Sequence, residues 1–396
     1  MAESPLYLDY NATAPLAPGV REVLAPFLGA DFHNPSSLSQ PAQKVRGAVH
    51  EARLAVARLM GAQGPDRITF TSGATESIHA AFHAAACARP DGALVIGAAE
   101  HSASKGAAQF WAALGRRIVT VPVDADGRIE VPTLQRILAE NGPIALVSLI
   151  YANNETGALQ PLEGLADCIH GAGALWHLDT VQAPGKVPLA CAAWQVDYAS
   201  ISGHKFGAPK GSGALYHAPG APVPHWQTGG GQEQGRRGGT ENVAANAGLG
   251  AAARLAAERV QDPGNAARLA AARDTFETEL LHRVPQACVH AGGVPRVGNT
   301  SFVGLPGTPA EYLLPLLEQE GVLVSAGSAC DASHHAPSPV LLAMGVPEDL
   351  ASSSLRLSFG PEHGPDEGRR AAEGVAQAWT WMAPPQAAPT GNTVQP

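Results

Sequence analysis

Three side chains in the middle of the chain could together serve one aromatic cofactor. Asp179 and Gln182 follow the apolar run 175–178, and Lys205 follows the β-branched and aromatic run 198–202. Pyridoxal phosphate needs a lysine amine for its Schiff base, an acidic partner for its pyridine nitrogen and a hydrogen bond to its phenolic oxygen. Lys205, Asp179 and Gln182 match these three needs in that order.

The elements that carry these side chains decide how the residues are interpreted. A lone carboxylate at a strand end is usually a cap or an ion-pair partner, and a lone loop lysine is usually solvated. Here the runs 175–179 and 198–202 both have the composition of buried strands. Ligands of open α/β sheets bind at the carboxyl ends of the strands, where Asp179 and Lys205 would meet. The context therefore favours a shared ligand site.

Alternating strand and helix patterns predict an α/β fold with a mostly parallel central sheet covered on both faces. The predicted strands are 67–70, 93–96, 117–121, 144–150, 175–179, 198–202 and 214–216, and the predicted helices between them are 76–88, 131–140 and 162–171. After about residue 251 the pattern changes to a smaller α+β domain. We predict a large domain over 16–255, a small domain over 1–15 and 256–382, and a disordered tail over 383–396.

Composition excludes several classes of protein. The 396 residues are 45% hydrophobic and 15% charged, and the net charge of −9 argues against direct nucleic-acid binding. No apolar run is long enough to span a membrane, and the N-terminus lacks the layout of a secretory signal, so we expect a cytoplasmic protein. The five cysteines form an odd set without a CxxC pair, which argues against a disulfide framework and a thiolate zinc site.

A turn with the character of a phosphate site follows the first predicted strand of the sheet. Residues 71–76, Thr-Ser-Gly-Ala-Thr-Glu, lead from this strand into a helix. The unpaired N–H groups and the dipole at such a helix start favour an anion. For these residues alone, an ordinary helix N-cap at Ser72 or Thr75 is an equally good interpretation. Ser202 and His204 supply further donors and favour the phosphate.

Three polar residues at other predicted strand ends could act on a substrate. His101 could stack on a cofactor ring and exchange protons, although most of the 15 histidines must be ordinary satisfied side chains. Asn154, in 151–155, offers an amide to a carboxylate or a ring hydroxyl, although paired asparagines more often form turns. Arg356 is a candidate bidentate partner for a substrate carboxylate.

Cys330 stands in the segment 324–338, which is rich in small and polar residues. Such a segment suits a mobile nucleophile better than a buried structural thiol. Cys330 could instead bind a metal together with Asp331, His334 and His335, but this spacing matches no tight metal motif. We therefore predict a nucleophilic thiol and no metal site.

Taken together, these residues resemble the cysteine desulfurases of the class V aminotransferase group, in the branch with a long catalytic loop. The motifs that carry the resemblance follow the family's order and span nearly the whole chain. They are 7–15, 34–36, 70–76, 100–101, 153–155, 177–182, 202–205, 235–242 and 327–330.

The resemblance implies the type I fold of pyridoxal-phosphate-dependent transferases and the conversion of L-cysteine to L-alanine. The sulfur would be captured as a persulfide on Cys330 and passed to an acceptor protein for iron–sulfur cluster or thio-cofactor biosynthesis. Lys205 would carry the cofactor as a Schiff base, Asp179 would pair with the ring nitrogen, Gln182 would bond the phenolic oxygen, and His101 would stack on the ring.

The resemblance also assigns the residues around the phosphate and the substrate. The phosphate would be held by Ala74, Thr75, Ser202 and His204, with Thr240 supplied by a second subunit of a homodimer. The substrate carboxylate would be oriented by Asn34, Asn154 and Arg356, and Asn154 would also contact the cofactor.

The sequence departs from the family pattern at Thr156 and in the segment after Cys330, where Asp331 and the pair His334-His335 replace the usual small residues. These departures leave open the proton chemistry of the segment and the identity of its partner. Two other functions also stay open. One is another class V enzyme, such as a selenocysteine lyase or a small-amino-acid aminotransferase. The other is a noncatalytic sulfur-assembly scaffold.

Overall fold

The structure is a computed structural model that describes residues 5–223, 225–327 and 336–382. Cys330, Asp331, His334, His335 and the tail 383–396, for which the sequence predicts disorder, lie outside the described residues.

The described strands and helices alternate along the first half of the chain. The strands are β1 (Leu6–Tyr7), β2 (Ile68–Thr71), β3 (Ala93–Gly97), β4 (Ile118–Val121), β5 (Ile144–Ile150), β6 (Leu175–Asp179), β7 (Tyr198–Ser202), β8 (Gly213–His217), β9 (Cys288–Val289), β10 (Thr300–Gly304), β11 (Val322–Leu323) and β12 (Ser354–Ser358). The helices are α1 (Val20–Leu24), α2 (Gln40–Met60), α3 (Ala74–Ala88), α4 (Ser102–Ala113), α5 (Val131–Glu140), α6 (Leu165–Gly171), α7 (Val243–Gln261), α8 (Pro263–Arg283), α9 (Ala310–Gln319), α10 (Pro339–Ala343), α11 (Glu348–Ser352) and α12 (Pro365–Met382).

The central sheet has seven strands in the order β2-β8-β7-β6-β5-β3-β4. Its strands are parallel except β8, which runs antiparallel to both β2 and β7. Neighbouring residues of β3 belong to different layers. Val95 belongs to the hydrophobic cluster that includes residues of α2, α5, α6 and α7, whereas Leu94 belongs to the cluster that includes residues of α3 and α4. Both faces are thus covered by helices, as expected for a mostly parallel sheet. The α/β fold predicted from the sequence is confirmed.

Two predicted helices differ from the observed ones at their first residues. Helix α3 begins at Ala74, two residues before the predicted start, so its first turn directly follows β2. Helix α6 begins at Leu165, three residues after the predicted start. Gly164 precedes it with a φ of 76°, a left-handed conformation that ends the preceding loop and suits glycine.

A second hydrophobic core lies among the C-terminal elements. Phe276 of α8, Leu313 of α9 and Val375 of α12 pack with Leu355 and Leu357 of β12. The N-terminal strand β1 pairs in parallel with β11 and contributes to the same core. On these contacts we propose the division into a large domain over 16–255 and a small domain that joins 1–15 to 256–382. Among the described residues, no helix is both long enough and apolar enough to cross a membrane.

Candidate active site

A cavity of about 580 Å³ opens at the carboxyl ends of the central strands. Because β5, β6 and β7 are parallel neighbours, the residues that end or follow them meet at one edge of the sheet. Ten of the residues singled out in the sequence line this cavity: Ala74, Thr75, His101, Asn154, Asp179, Gln182, Ser202, His204, Lys205 and Arg356.

Asp179 is the last residue of β6 and is only 3% exposed. Its Oδ1 accepts a hydrogen bond of 2.9 Å from the backbone N–H of Val181. Burial raises the pKa of this carboxyl to about 6, although the Val181 N–H and the charge of Lys205 act in the opposite direction. A cationic ring nitrogen placed beside Asp179 would favour its ionised form, since an opposite charge offsets the cost of burial.

Lys205 ends the short 3-10 turn that follows β7. Its Nζ donates hydrogen bonds to the backbone carbonyls of Asn11, at 2.6 Å, and Ala12, at 2.9 Å. Both carbonyls belong to the N-terminal segment that leads from β1. The amine therefore lies between the large core and the N-terminal segment, at the wall of the cavity.

Gln182 belongs to a polar network that the sequence did not reveal. Its Nε2 donates to the backbone carbonyl of Asn11 at 3.0 Å, and its Oε1 accepts from Lys186 Nζ at 2.7 Å. Asn11 lies in the 7–15 motif and Lys186 lies four residues after Gln182. The sequence shows only that Asn11 belongs to a motif and that Lys186 lies close to Gln182 in the chain. It does not show that their polar groups meet, because that depends on the folded backbone.

The anion-binding turn lies at the start of α3. Gly73 precedes the helix, and no side chain caps its first turn. A Cβ on Gly213 would lie 2.6 Å from the Cα of Gly73, so β8 passes against this turn at a distance that only glycine permits. The Ser202 hydroxyl lies 3.7 Å from the position that a Cβ on Gly73 would take. The uncapped N–H groups of Ala74 and Thr75 and this hydroxyl together suit a phosphate.

His204 lies beside the same turn, and its Nδ1 is 3.2 Å from the Thr13 hydroxyl. Burial, together with the charges of Lys205 and Lys210, lowers the pKa of His204 to about 4. The imidazole is therefore neutral at physiological pH. It can still donate one N–H to an anion in the cavity.

Glu76 connects the turn to the loop that carries Thr240. Its Oε2 accepts from the Ser72 backbone N–H at 2.7 Å, and its Oε1 accepts from Arg237 at 3.0 Å. Burial alone would raise the pKa of Glu76, but the hydrogen bonds from Arg237 and Ser72 lower it below its usual value. The ionised carboxylate thereby fixes the loop against the start of α3.

Arg356 is 1% exposed and reaches the cavity from β12. Its Nη2 forms a 2.6 Å ion pair with Asp9, and its Nη1 donates to the Asn154 carbonyl at 3.1 Å. Among the described residues, Arg356 Nε and Asn154 Oδ1 are buried without a hydrogen-bond partner. A buried polar group left without a partner costs about 1–3 kcal/mol. A polar ligand in the cavity would offset that cost, so the residues present fit an amino acid and a phosphorylated aromatic cofactor.

His101 caps α4, and its Nδ1 accepts the Ala103 N–H at 3.1 Å. An Nδ1 that accepts a hydrogen bond leaves the ring proton on Nε2 when the imidazole is neutral. The ring lines the cavity beside Asn154. His101 can therefore offer a ring face and an Nε2 proton to whatever the cavity binds.

Two predicted site residues do not line this cavity in the single chain. Asn34 and Thr240 lie together in a separate depression, and both are exposed. The segment before Cys330 is tied to the site, because Ser325 and Arg356 exchange backbone hydrogen bonds of 3.1 and 2.7 Å. Cys330 itself lies beyond the described residues.

Glu100 precedes His101 and is buried beneath the cavity. Its Oε1 accepts the Ile150 N–H at 2.6 Å. Burial, and then the charge of Asp179, raises the pKa of Glu100 from 4.5 to about 8. The folded protein therefore keeps a proton here that the unfolded chain loses above pH 4.5. By linkage, this group makes the folded state less stable as the pH rises from about 4.5 to about 8.

We expect Glu100→Gln to remove this contribution in the cofactor-free protein. The wild type also contains buried histidines that act in the opposite direction, because burial lowers the pKa of His177 to about 3 and that of His204 to about 4. Urea unfolding should therefore show that, from pH 5 to pH 8, the free energy of unfolding of Glu100→Gln rises by several kcal/mol relative to that of the wild type. Glu140→Gln, at an exposed site on α5, serves as the control and should follow the wild type at both pH values. A difference between Glu100→Gln and the wild type that is the same at pH 5 and pH 8 would show that this carboxyl is not the source.

Comparisons with known proteins place these observations in a family. Residues 6–367 match the model of the aminotransferase class-V family. A cysteine desulfurase from Cereibacter sphaeroides is 41% identical over 356 residues, which cover 89% of this chain and 90% of that protein. A cysteine desulfurase from Gluconacetobacter diazotrophicus is 39% identical over 90% of this chain and 89% of that protein. A solved structure of a NifS-like protein superposes with a TM-score of 0.86 at 30% identity, covering 96% of this chain and all of that one.

Proposed function

This chain belongs to the aminotransferase class-V family and, within it, to the cysteine desulfurases, and on that premise we propose that it converts L-cysteine to L-alanine with pyridoxal phosphate bound at Lys205. The observation that carries the proposal is the convergence of the Lys205 amine, the Asp179 carboxylate and the Gln182 amide on one cavity. The sulfur passes to Cys330 and then to an acceptor protein.

The cofactor would supply an electron sink for the Cα–H bond of the bound amino acid. We infer that Asp179 pairs with its ring nitrogen and Gln182 with its phenolic oxygen, while His101 covers a face of the ring. The phosphate would accept hydrogen bonds from the N–H groups of Ala74 and Thr75, from the Ser202 hydroxyl and from the His204 imidazole. Each of these residues lines the cavity, and the uncapped start of α3 supports the phosphate assignment.

The substrate carboxylate would be held by Arg356 and Asn154. The buried Arg356 Nε and Asn154 Oδ1, which have no partner among the described residues, support this assignment. Lys205 Nζ would accept the Cα proton of the bound amino acid. His101 Nε2 is our candidate for moving the proton of the Cys330 thiol, whose unperturbed pKa would be about 8.5.

The sulfur transfer balances without a further reactant. The Cys330 sulfur forms a bond to the substrate sulfur, the carbon–sulfur bond of L-cysteine breaks, and a proton goes to the carbon that becomes the methyl group of L-alanine. The products are L-alanine and a persulfide on Cys330. The acceptor of that persulfide sulfur would serve iron–sulfur cluster or thio-cofactor biosynthesis.

We also propose that the active protein is a homodimer in which Thr240 completes the phosphate site of the other subunit. Thr240 and Asn34 share a depression away from the cavity of their own chain. The large apolar side chains of Leu28 and Phe32 line the same depression and are more than 70% exposed. Exposed apolar side chains grouped in this way are typical of an interaction surface.

The proposed function is tested by mixing the purified protein with L-cysteine. We expect L-alanine to form and the intact mass to increase by one sulfur atom, located by peptide mapping on the peptide that contains Cys330. Sulfide release without a modified cysteine would favour a lyase. Alanine formation only in the presence of an α-keto acid would favour an aminotransferase. A protein that binds no pyridoxal phosphate and forms no alanine would favour a noncatalytic scaffold.

A further inference from the structure

Lys186 is a lysine next to the cavity to which the reaction assigns no role. Its Nζ donates to Gln182 Oε1 at 2.7 Å and to Asn11 Oδ1 at 2.8 Å. A lysine ammonium group has three donors and no acceptor. Both of its contacts are with the oxygen end of a side-chain amide, which accepts an N–H group of Lys186.

The contact with Lys186 determines which way the Gln182 amide faces. With Oε1 held against Lys186, the Nε2 group faces away from it, and one of its hydrogens goes to the Asn11 carbonyl at 3.0 Å. Gln182 lines the cavity that also contains Lys205 and Asp179. The second Nε2 hydrogen then remains for an oxygen atom in the cavity.

Asn11 joins this network to the amine of Lys205. The same backbone carbonyl of Asn11 accepts both Lys205 Nζ and Gln182 Nε2, at 2.6 and 3.0 Å. The side chain of Asn11 is fixed as well, because its Nδ2 donates to Thr300 Oγ1 at 2.9 Å and its Oδ1 also accepts from Asn299 at 3.2 Å. The Gln182 amide thus lies between the Lys186 amine, which donates to its oxygen, and the Asn11 backbone carbonyl, which can only accept from its nitrogen.

Burying the Lys186 amine disfavours its charged form. This cost in free energy argues that lysine has a role here beyond packing. Burial, followed by the charges of Lys205 and Arg356, lowers the pKa of Lys186 well below its usual value. A long apolar side chain such as methionine would fill a similar volume without that cost. Methionine would, however, leave Gln182 Oε1 without the donor that Lys186 supplies, and the Asn11 carbonyl alone would then orient the Gln182 amide.

We propose that Lys186 is a positioning residue that holds the Gln182 amide with its N–H group, and not its carbonyl oxygen, toward the cofactor oxygen. This inference rests on the proposed function, since it assumes pyridoxal phosphate on Lys205. Without Lys186, Gln182 can turn its oxygen toward the cofactor oxygen, and two acceptors then face each other. The effect of Lys186 on the cofactor therefore passes through Gln182.

The test is a double-mutant cycle that combines Lys186→Met with Gln182→Leu, with binding of pyridoxal phosphate to the cofactor-free protein as the readout. We expect each single variant to weaken binding about tenfold, as for one lost hydrogen bond and one unpaired buried group. The double variant should match Gln182→Leu to within about twofold. The visible absorption band of the bound cofactor should shift in the same direction in all three variants.

Lys186→Arg is the matched control, because guanidinium also has donors only. It should bind the cofactor within about threefold of the wild type. Circular dichroism of the cofactor-free variants checks that they fold. If Lys186→Met does not fold, Lys186→Gln replaces it in the cycle, because its amide keeps the position polar but can present either end to Gln182.

The results separate this inference from the function on which it rests. Multiplicative losses, with the double variant about a hundredfold weaker, would overturn the inference, since Lys186 would then act independently of Gln182. Wild-type affinity in Lys186→Met would overturn it as well. A wild-type chain that takes up no pyridoxal phosphate would instead contradict the proposed function.

Discussion

Asp179→Asn is expected to lower the kcat for alanine formation by about 10³-fold, the scale seen when one preorganised electrostatic partner is removed. Asparagine keeps an oxygen for the Val181 N–H but carries no negative charge to hold a proton on the cofactor ring nitrogen. The electron sink is weakened as a result. Since burial raises the pKa of Asp179 to about 6, its replacement by a neutral residue also removes a cost to folding above that pH. The variant should therefore fold at least as well as the wild type at pH 8.

The matched control for this prediction is Asp197→Asn. Asp197 precedes β7, at the opposite end of the sheet, where its carboxylate accepts the Trp176 N–H at 2.8 Å and contacts His170. We expect Asp197→Asn to change only the free energy of unfolding. Its kcat should stay within about threefold of the wild type. Steady-state assays on both variants, with pyridoxal phosphate in excess, make the comparison. A kcat for Asp179→Asn within tenfold of the wild type would contradict the role assigned to this carboxylate.

Cys330→Ser is expected to reduce persulfide formation and sustained alanine production by about 10³-fold or more, because the chemical step loses its nucleophile. The residues proposed to hold the cofactor do not include Cys330. The variant should therefore still bind pyridoxal phosphate and still change its visible spectrum when L-cysteine is added. Stopped-flow absorbance together with an alanine assay measures both effects on one sample.

Cys87→Ser is the control for the cysteine substitution. Cys87 is exposed on α3 and lies beside His83, with its sulfur 3.7 Å from the Nε2 of that ring. Its replacement should leave both the spectral change and the turnover unaltered. Full sulfide release by Cys330→Ser would instead support a lyase, which needs no thiol at this position.

Much of the fold was predictable because strands that are buried on both faces have a strong signature. The runs that became β5, β6 and β7 were found at their observed bounds, and the helix α6 between β5 and β6 accounts for the parallel order of that pair. Once these strands were assigned, Asp179, Ser202 and Lys205 had to meet at one edge. The antiparallel direction of β8 was not predicted, since its composition does not differ from that of its parallel neighbours.

The polar network around the amine could not be predicted from sequence patterns. Asn11 is nearly 200 residues from Lys205 in the chain, and their contact is made by a backbone carbonyl, whose direction no residue type specifies. Lys186 follows Pro184-Gly185, which indicates a turn, and only the folded loop places its amine beside Gln182. Asn34 and Thr240 had sequence signals, but in the single chain they lie in a depression apart from the cavity, so the roles proposed for them require a second copy of the chain.

We propose that pyridoxal phosphate is bonded to the amine of Lys205 and that its ring nitrogen pairs with Asp179. Reduction of the loaded protein with borohydride would fix the cofactor to the amine that carries it, and peptide mapping by mass spectrometry would identify that amine. Lys186 and Lys210 provide internal controls, because both have side chains beside the same cavity. The account predicts the added mass on the peptide that contains Lys205, and on Lys205 within it. Attachment at Lys186 or Lys210, or no attachment, would contradict it.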